Sequence, residues 1–167
     1  MQNKCMRILG IDPGTNRVGY GLIEASKNNL GAVEYGVLEI PPYTDRHERI
    51  IKLASEFRKL LKRLSPEYVG METLFFGKNR KTALAVSEAR GILLLLALER
   101  NLPVIEHKPQ TVKLAVTSYG LSDKQAVAKM TAKILHLPEI RNYDDASDAL
   151  AVAIATAGNL LGGNETK

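Results

Sequence analysis

Two acidic residues lie directly at the ends of short apolar segments. Asp12 follows the run Arg7–Ile11 in the motif GIDPG, and Glu72 closes the run Tyr68–Glu72 in GMETLFFG. An ionised carboxylate beside a buried strand is costly unless it is paired or binds a cation. If the two segments are parallel neighbours, about 4.8 Å apart, both acids emerge at one edge of a sheet and could share a cation. The alternative is that both are ordinary strand-end residues that face water.

A second pair of acids lies in the motif DDASDAL. A helix puts Asp145 and Asp148 on one face, where like charges repel by about a few tenths of a kcal/mol unless a cation lies between them. The apolar residues Ala149–Ile154 predict a helix that packs on the sheet and carries its first turn to the strand ends. The alternative is a solvated helix start favoured by the helix dipole, a role that suits Asp144, the predicted N-cap, best.

Four carboxylates gathered without cysteine or histidine would form an all-oxygen site. Hard divalent cations, Mg²⁺ or Mn²⁺, match such a site. Two such ions can lower the pKa of an attacking water and stabilise the leaving 3′ oxygen of a phosphodiester. The donor set therefore predicts phosphodiester cleavage, provided that the fold brings the four acids together.

Hydrophobic periodicity predicts the elements that would position these acids, in the order β-β-β-α-β-α-β-α-α-α. The predicted strands are Arg7–Ile11, Val18–Ile23, Ala32–Ile40, Tyr68–Glu72 and Pro103–Glu106. The predicted helices are Asp45–Leu64, a segment that follows the predicted loop Thr73–Arg80 and runs to about Arg100, Pro109–Val116, Asp123–His136 and Asp144–Leu160. The start signals include Asp45 with Glu48, and a capping box at Ser122-x-x-Gln125. This order predicts an α/β fold with a five-stranded mixed sheet and helices on both faces.

Composition fits one domain that binds a polyanion. The 167 residues predict a single domain over 1–167 with a disordered tail at 161–167, and the net charge of +5 favours nucleic acid as a partner. Cys5 is the sole cysteine, so an internal disulfide is excluded. The first seven residues resemble no leader, and the longest apolar stretch, Gly91–Leu98, is too short to span a bilayer. We therefore expect a cytoplasmic protein without a membrane partner.

Several motifs, in the same order along the chain, resemble the RuvC family of Holliday junction resolvases. They span Arg7–Gly158 and read LGIDPGTNRVGYGLIE, METLFFGKNRKTAL, SEARG, KPQTVKLAVTSYG, DKQAV and DDASDALAVAIA. The resemblance implies an RNase H-like fold and a homodimer that resolves four-way DNA junctions by paired symmetric nicks, leaving 5′-phosphate and 3′-hydroxyl ends. It also implies two Mg²⁺ ions per subunit, with Mn²⁺ as a substitute, and the branch-migration proteins RuvA and RuvB as partners. The catalytic and metal-binding residues that it implies are Asp12, Glu72, Asp145 and Asp148.

The resemblance further implies contacts with DNA. Phe75 matches the family's aromatic residue at the junction crossover, where stacking on a base contributes about 1–3 kcal/mol; the alternative is that Phe75 closes the core. Lys113 and Lys124 match lysines that contact DNA or the charge of the scissile phosphate. Lys78 and Arg80 lie in a basic loop that could contact backbone phosphates, an expectation that rests on charge more than on the resemblance.

The chain departs from the family pattern at Ser87-Glu88, where Gly-Gln is more common, and at Ser118, where Gly is common. Three other functions remain open. The Asp-x-Gly-Thr motif also resembles the phosphate loop of sugar kinases and actin-like ATPases, although 167 residues hold only one of the two domains that they need. A YqgF-like protein of RNA processing shares the fold and the opening motif. A non-catalytic DNA-binding module is disfavoured by the four retained acids.

The segment Ala89–Leu98 lacks a polar face, so more than one of its sides must be covered. Two symmetric cuts require two sites related by a two-fold axis, and this segment is therefore the predicted dimer interface. His47, His107 and His136 share no common spacing, and we expect them at the surface or at helix ends.

Overall fold

A computed structural model describes residues 5–41, 45–73, 80–140 and 144–162. Within these ranges the strands are β1 (Met6–Asp12), β2 (Arg17–Ser26), β3 (Asn29–Glu39), β4 (Tyr68–Glu72) and β5 (Val104–His107). The helices are α1 (Arg46–Leu64), α2 (Arg80–Leu98), α3 (Pro109–Thr117), α4 (Lys124–Ile134) and α5 (Asp144–Gly162). None of the helices in the described ranges is long and apolar enough to cross a membrane.

The strands form one mixed sheet in the order β3-β2-β1-β4-β5. The first three strands pair antiparallel as a meander, whereas β4 runs parallel to both β1 and β5. β4 follows a helical crossover and lies beside β1, which confirms the predicted five-stranded mixed sheet and its element order. The carboxyl ends of β1 and β4 therefore meet at the same edge.

Two helices cover one face of the sheet through large side chains. α1 is amphipathic, and its buried residues recur at helical spacing: Leu53, Phe57, Leu60, Leu61 and Leu64. These residues pack with Leu93 and Leu96 of α2 against inward side chains of the central strands, such as Leu9 and Ile11. Because strand side chains alternate, residues of even number in β1 face the opposite side of the sheet.

On that opposite side, α5 lies almost directly on the backbone of the sheet. Gly10 pairs with Gly21 of β2 and with Gly70 of β4, so three glycines form a row across the central strands. A Cβ added at Gly10 would lie 1.9 Å from the carbonyl oxygen of Ala149, and only glycine permits this approach. α3 and α4 then pack on the outer side of α5. Helices on both faces confirm the predicted architecture.

The helix starts agree with the sequence signals in one case and differ in another. Asp45 caps α1 by accepting a hydrogen bond from the backbone N–H of His47 at 2.9 Å. The capping box predicted at Ser122 is wrong, because Asp123 caps α4 by accepting from Ala126 N–H at 2.8 Å. The Ser122 hydroxyl instead donates to the carbonyl oxygen of Tyr119. Asp144, predicted as an N-cap, is the first residue of α5 itself.

Candidate active site

Two acids leave the sheet side by side at the carboxyl ends of β1 and β4. Ile11 pairs with Met71, so Asp12 and Glu72, the next residue of each strand, are neighbours at the edge. By alternation, Asp12 shares the face of Gly10 and Glu72 shares the face of Gly70. This is the face that α5 covers, and both carboxylates therefore lie on the same side as its first turn.

α5 reaches this edge because a glycine again permits close packing. Gly19 of β2 pairs with Asp12, and a Cβ at Gly19 would lie 2.0 Å from the carbonyl oxygen of Asp145. The first turn of α5 therefore rests on the backbone beside Asp12. This arrangement brings Asp145 and Asp148 from a position more than 130 residues along the chain to the end of β1.

A cavity of about 250 Å³ opens where these elements meet. The apolar part of its lining comes from α3, α4 and α5. Its charged lining consists of Asp12, Glu72, Asp148, Lys113 and Lys124. Three of the four predicted acids and both predicted lysines therefore face one cavity, while Asp145 lies outside its lining.

The charges in this cavity are poorly solvated. The pKa of Asp12 is raised to about 7, and burial is the largest cause. The negative charges of Asp148, Glu72 and Asp145 act in the same direction, in that order of strength, whereas Lys124 opposes them. A bound cation stabilises an ionised carboxylate in such surroundings. It replaces the favourable interaction with water that burial removes, and it offsets the repulsion from the neighbouring negative charges.

The other two acids of the cavity respond to the same surroundings. Burial raises the pKa of Glu72, and the charge of Asp148 raises it further, while Lys113 and Lys124 lower it. Burial also raises the pKa of Asp148, although a hydrogen bond from Lys124 opposes this effect. Burial lowers the pKa of Lys124, but its contact with Asp148 raises it overall. The lysines thus offset part of the negative charge.

Each of the two predicted acids of α5 pairs with a basic side chain. Lys124 Nζ lies 3.0 Å from Asp148 Oδ2, and Arg17 Nε lies 3.1 Å from Asp145 Oδ2. Within the described part of the chain, no three acidic, histidine or cysteine side chains form a ready coordination shell. The donor set still fits a hard divalent cation, because every candidate ligand is a carboxylate oxygen and Asp12 is buried beside like charges.

Three predicted DNA-binding residues fall on parts of the chain that the structure leaves undescribed. Phe75 and Lys78 lie outside the described residues. Arg80 begins α2, and its side chain also lies outside the description.

Two residues near the site carry interactions that the sequence did not signal. Arg17, at the start of β2, pairs with Asp145 across 128 positions. The prediction that His107 lies at the surface is wrong, because it is buried at the end of β5 and its Nε2 lies 2.9 Å from Thr156 Oγ1. Burial lowers the pKa of His107, which keeps the ring neutral. Since the Thr156 hydroxyl donates to the carbonyl oxygen of Val152, Nε2 must be the donor to Thr156.

A five-stranded mixed sheet with helices on both faces, and carboxylates at the ends of its central strands, define an RNase H-like nuclease. The family model described as crossover junction endodeoxyribonuclease RuvC matches residues 8–156. The chain belongs to the RuvC family, which confirms the resemblance noted in its motifs.

Individual relatives agree with this assignment. The chain is 45% identical to RuvC of Thermotoga petrophila over 148 residues, which cover 89% of this chain and 90% of the relative. It is 46% identical to RuvC of Desulfitobacterium hafniense over 152 residues, or 91% and 92% of the two chains. The structure of Thermus thermophilus RuvC in complex with Holliday junction substrate superposes with a TM-score of 0.88 at 31% identity, covering 95% and 96%.

The activity is therefore that of a crossover junction endodeoxyribonuclease, a metal-dependent nuclease of DNA recombination and repair. The kinase-like, RNA-processing and non-catalytic alternatives do not account for a match to this family over nearly the whole chain.

Proposed function

We propose that four acids hold two Mg²⁺ ions per subunit, with Mn²⁺ as a substitute: Asp12, Glu72, Asp145 and Asp148. The substrate is a four-way DNA junction, which the protein resolves by paired symmetric nicks that leave 5′-phosphate and 3′-hydroxyl ends. The observation that carries this proposal is the buried Asp12, whose pKa is raised to about 7 in a cavity that it shares with Glu72 and Asp148.

Each acid has a separate part in this proposal. Asp12 feels the charge of each of the other three, so it is the proposed ligand of both ions. Glu72 would complete one ion, and Asp145 or Asp148 would complete the other. When bound, the ions would lower the pKa of an attacking water and stabilise the leaving 3′ oxygen.

The two lysines of the cavity are the proposed contacts for the DNA phosphate. Lys124 starts α4 within 3.0 Å of Asp148, and Lys113 of α3 acts on the charge of Glu72. With divalent ions bound, the acids would be neutralised, and both ammonium groups would be free to contact the scissile phosphate or its neighbours. The lysines therefore stabilise the metal-free cavity and bind DNA in the metal-loaded one.

The central test uses a synthetic four-way junction and Mg²⁺, with every strand end mapped. Asp12→Asn should abolish cleavage and keep junction binding, because it removes a ligand and one negative charge near phosphate. Asp144→Asn is the control, since Asp144 lies next to Asp145 at the start of α5 but has an 87% exposed side chain. It should cleave like the native chain.

Strand mapping separates this proposal from a general nuclease. Two nicks at symmetric positions on opposite strands, with ligatable ends, are expected. Strong cleavage by Asp12→Asn, or equal cutting of linear duplex and junction, would contradict the proposal.

We also propose that the protein is a homodimer whose two-fold axis passes near α2. Leu84, Leu95 and Leu98 of this helix are 76%, 56% and 52% exposed, and Gly91 lies between them with open space at its Cβ position. These positions share one stripe of the helix, opposite to the buried Leu93. A glycine in such a stripe lets two helix backbones approach, and a two-fold dimer supplies the second active site.

Sedimentation of charge variants tests the dimer. Leu95→Glu should give a monomer that makes unpaired nicks slowly, because a carboxylate cannot be buried in an apolar interface. Ile51→Glu on α1 is the control, since Ile51 is a comparably exposed apolar residue at 69%. If both variants sediment alike, α2 is not the interface.

The remaining proposals rest on family membership. Phe75 would stack at the junction crossover, while Lys78 and Arg80 would contact backbone phosphates. Phe75→Ala should weaken junction binding more than duplex binding. Lys78→Ala should weaken both and reduce by about one the slope of the logarithm of the binding constant against the logarithm of the salt concentration. We further propose a cytoplasmic setting with RuvA and RuvB as partners, to be tested by cleavage of RuvAB-bound junctions.

A further inference from the structure

A guanidinium group from α2 reaches the end of the strand that carries Glu72. Arg90 Nε donates a hydrogen bond to the backbone carbonyl oxygen of Glu72 at 3.1 Å, and Arg90 Nη2 pairs with the carboxylate of Glu106 on β5. The Arg90 side chain is only 15% exposed, so its hydrogen bond to the Glu72 carbonyl oxygen is partly shielded from water. One side chain thus joins α2, β4 and β5 beside the active site.

The carbonyl group of Glu72 lacks a partner from the sheet. Val69 N–H and Thr73 N–H of the β4 region donate to the β5 side, so the alternate residues Gly70 and Glu72 turn their backbone hydrogen-bonding groups toward β1. With Ile11 opposite Met71, the next backbone nitrogen in line with the Glu72 carbonyl belongs to residue 13. That residue is Pro13, which has no N–H to donate. Arg90 supplies the donor that the neighbouring strand cannot.

We propose that Arg90 is a positioning residue that fixes Glu72 for ion binding. It acts through the backbone, so the Glu72 carboxylate stays free for a ligand while the peptide that carries it cannot rotate. Glu106 in turn orients the planar guanidinium, because two N–H groups of one fork are held at once. This inference rests on the proposed metal-binding role of Glu72.

A second ion pair to the same helix provides a matched control. Arg46 of α1 pairs with Glu88 of α2, so it also ties α2 to a neighbouring element. It does not contact the strand of Glu72, and its side chain is 65% exposed. A purely structural role in holding α2 would be lost in Arg46→Gln as well, whereas a role in positioning Glu72 would be lost only in Arg90→Gln.

The first measurement is calorimetric titration of the DNA-free protein with Mn²⁺. Arg90→Gln should raise the Kd for Mn²⁺ about 10- to 100-fold, the usual effect of removing a group that orients a metal ligand. Arg46→Gln should bind Mn²⁺ like the native chain. Junction cleavage by Arg90→Gln should require correspondingly more Mg²⁺, with unchanged affinity for the junction in the absence of metal.

Two further variants keep the test decisive if Arg90→Gln folds poorly. Arg90→Lys can reach either the carbonyl or Glu106 but not both in the same geometry, so it should recover only part of the Mn²⁺ affinity. Glu106→Gln keeps the hydrogen bond to Glu72 and loosens the guanidinium, so it should weaken Mn²⁺ binding about threefold.

The results also separate this inference from the proposal beneath it. If Glu72→Gln loses cleavage while Arg90→Gln and Glu106→Gln bind Mn²⁺ as tightly as Arg46→Gln, the positioning role of Arg90 is overturned and the function stands. If Glu72→Gln cleaves like the native chain, the metal-binding role of Glu72 itself is wrong.

Discussion

The two faces of the sheet hold their helices by different means. On one face, α1 and α2 are kept at a distance by large buried side chains such as Phe57 and Leu93. On the other face, α5 rests on bare backbone, with Gly10 and Gly19 beneath the carbonyl oxygens of Ala149 and Asp145. Side chains can repack when a neighbour changes, whereas backbone against backbone leaves no freedom to adjust.

The two kinds of packing match the different roles proposed for the two faces of the sheet. The face with close packing carries two of the four proposed ligands, Asp145 and Asp148, near the start of α5, where a displacement of about 1 Å can cost 100-fold in rate. The face with large side chains carries α2, whose outer stripe is open for a partner. Backbone-to-backbone packing therefore positions the acids of α5, whereas the face with large side chains contributes to the site through the single contact of Arg90 with the end of β4.

Gly10→Ala is the most direct test of the difference in packing between the two faces of the sheet. The new methyl group would meet the carbonyl oxygen of Ala149 at 1.9 Å, so α5 must move or the sheet must bend. We expect a loss of about 5 kcal/mol in the free energy of unfolding, at the upper end for a single substitution. Chemical denaturation measures this loss, and Gly31→Ala is the control because its Cβ position has no neighbour within 4 Å.

Gly19→Ala is the milder variant of the same test, placed at the end of α5 that carries the acids. It should displace Asp145 and lower junction cleavage about 100-fold. The clash is almost as close as at Gly10, but the loss of stability should be smaller because the end of a helix can shift without moving the rest of it. Normal cleavage by a folded Gly19→Ala protein would show that close packing does not position the site.

Phe57→Ala removes a large buried side chain from the other face. We expect a loss of about 4 kcal/mol from transfer and cavity terms, measured by denaturation. Cleavage per folded molecule should remain near the native value, because the α1 face can relax without moving the first turn of α5. A loss of cleavage as large as that of Gly19→Ala would erase the distinction between the two faces.

The sequence predicts the features of the fold and the site that depend on local patterns. Strand ends at Asp12 and Glu72, and the shared face of Asp145 and Asp148, follow from periods of 2 and 3.6 residues, which need no knowledge of distant contacts. The order of the elements then brings β1 and β4 together through a right-handed crossover.

Features that depend on distant partners were not predictable. A glycine within a strand predicts only a locally weaker strand, and no residue near Gly10 in the sequence indicates that a helix backbone packs on it. The burial of His107 depends on Thr156, 49 residues away. Ser122 and Asp123 are adjacent capping candidates, and local sequence does not decide between them.

Asp12→Asn tests the closely packed face of the sheet by removing a buried negative charge from it. The folded-state pKa of Asp12, about 7, lies above its unfolded value near 3.8. Stability is therefore lost as the pH rises from about 4 to 7, and the full penalty is present above pH 7. We expect Asp12→Asn to stabilise the metal-free protein by about 2 kcal/mol at pH 8, and by much less at pH 4.

Thermal unfolding in chelator, repeated with Mg²⁺, measures this effect. Divalent ions should stabilise the native chain and leave Asp12→Asn nearly unchanged, because binding to the folded state alone raises stability. Asp144→Asn should match the native chain in both conditions. A pH-independent difference between Asp12→Asn and the native chain would contradict the assigned cause.

Gly158→Ala probes an exposed position of α5 that has open space around it. Its Cβ position has no neighbour within 4 Å, so alanine only reduces the freedom of the unfolded chain and favours the helix. We expect a gain of about 0.5–1 kcal/mol in denaturation, with unchanged cleavage. Gly91→Ala in α2 has the same open surroundings and the same intrinsic gain. A smaller gain for Gly91→Ala at concentrations where the protein is dimeric would locate the partner helix at Gly91, whereas a loss of stability in Gly158→Ala would mean that α5 is tightly packed along its whole length.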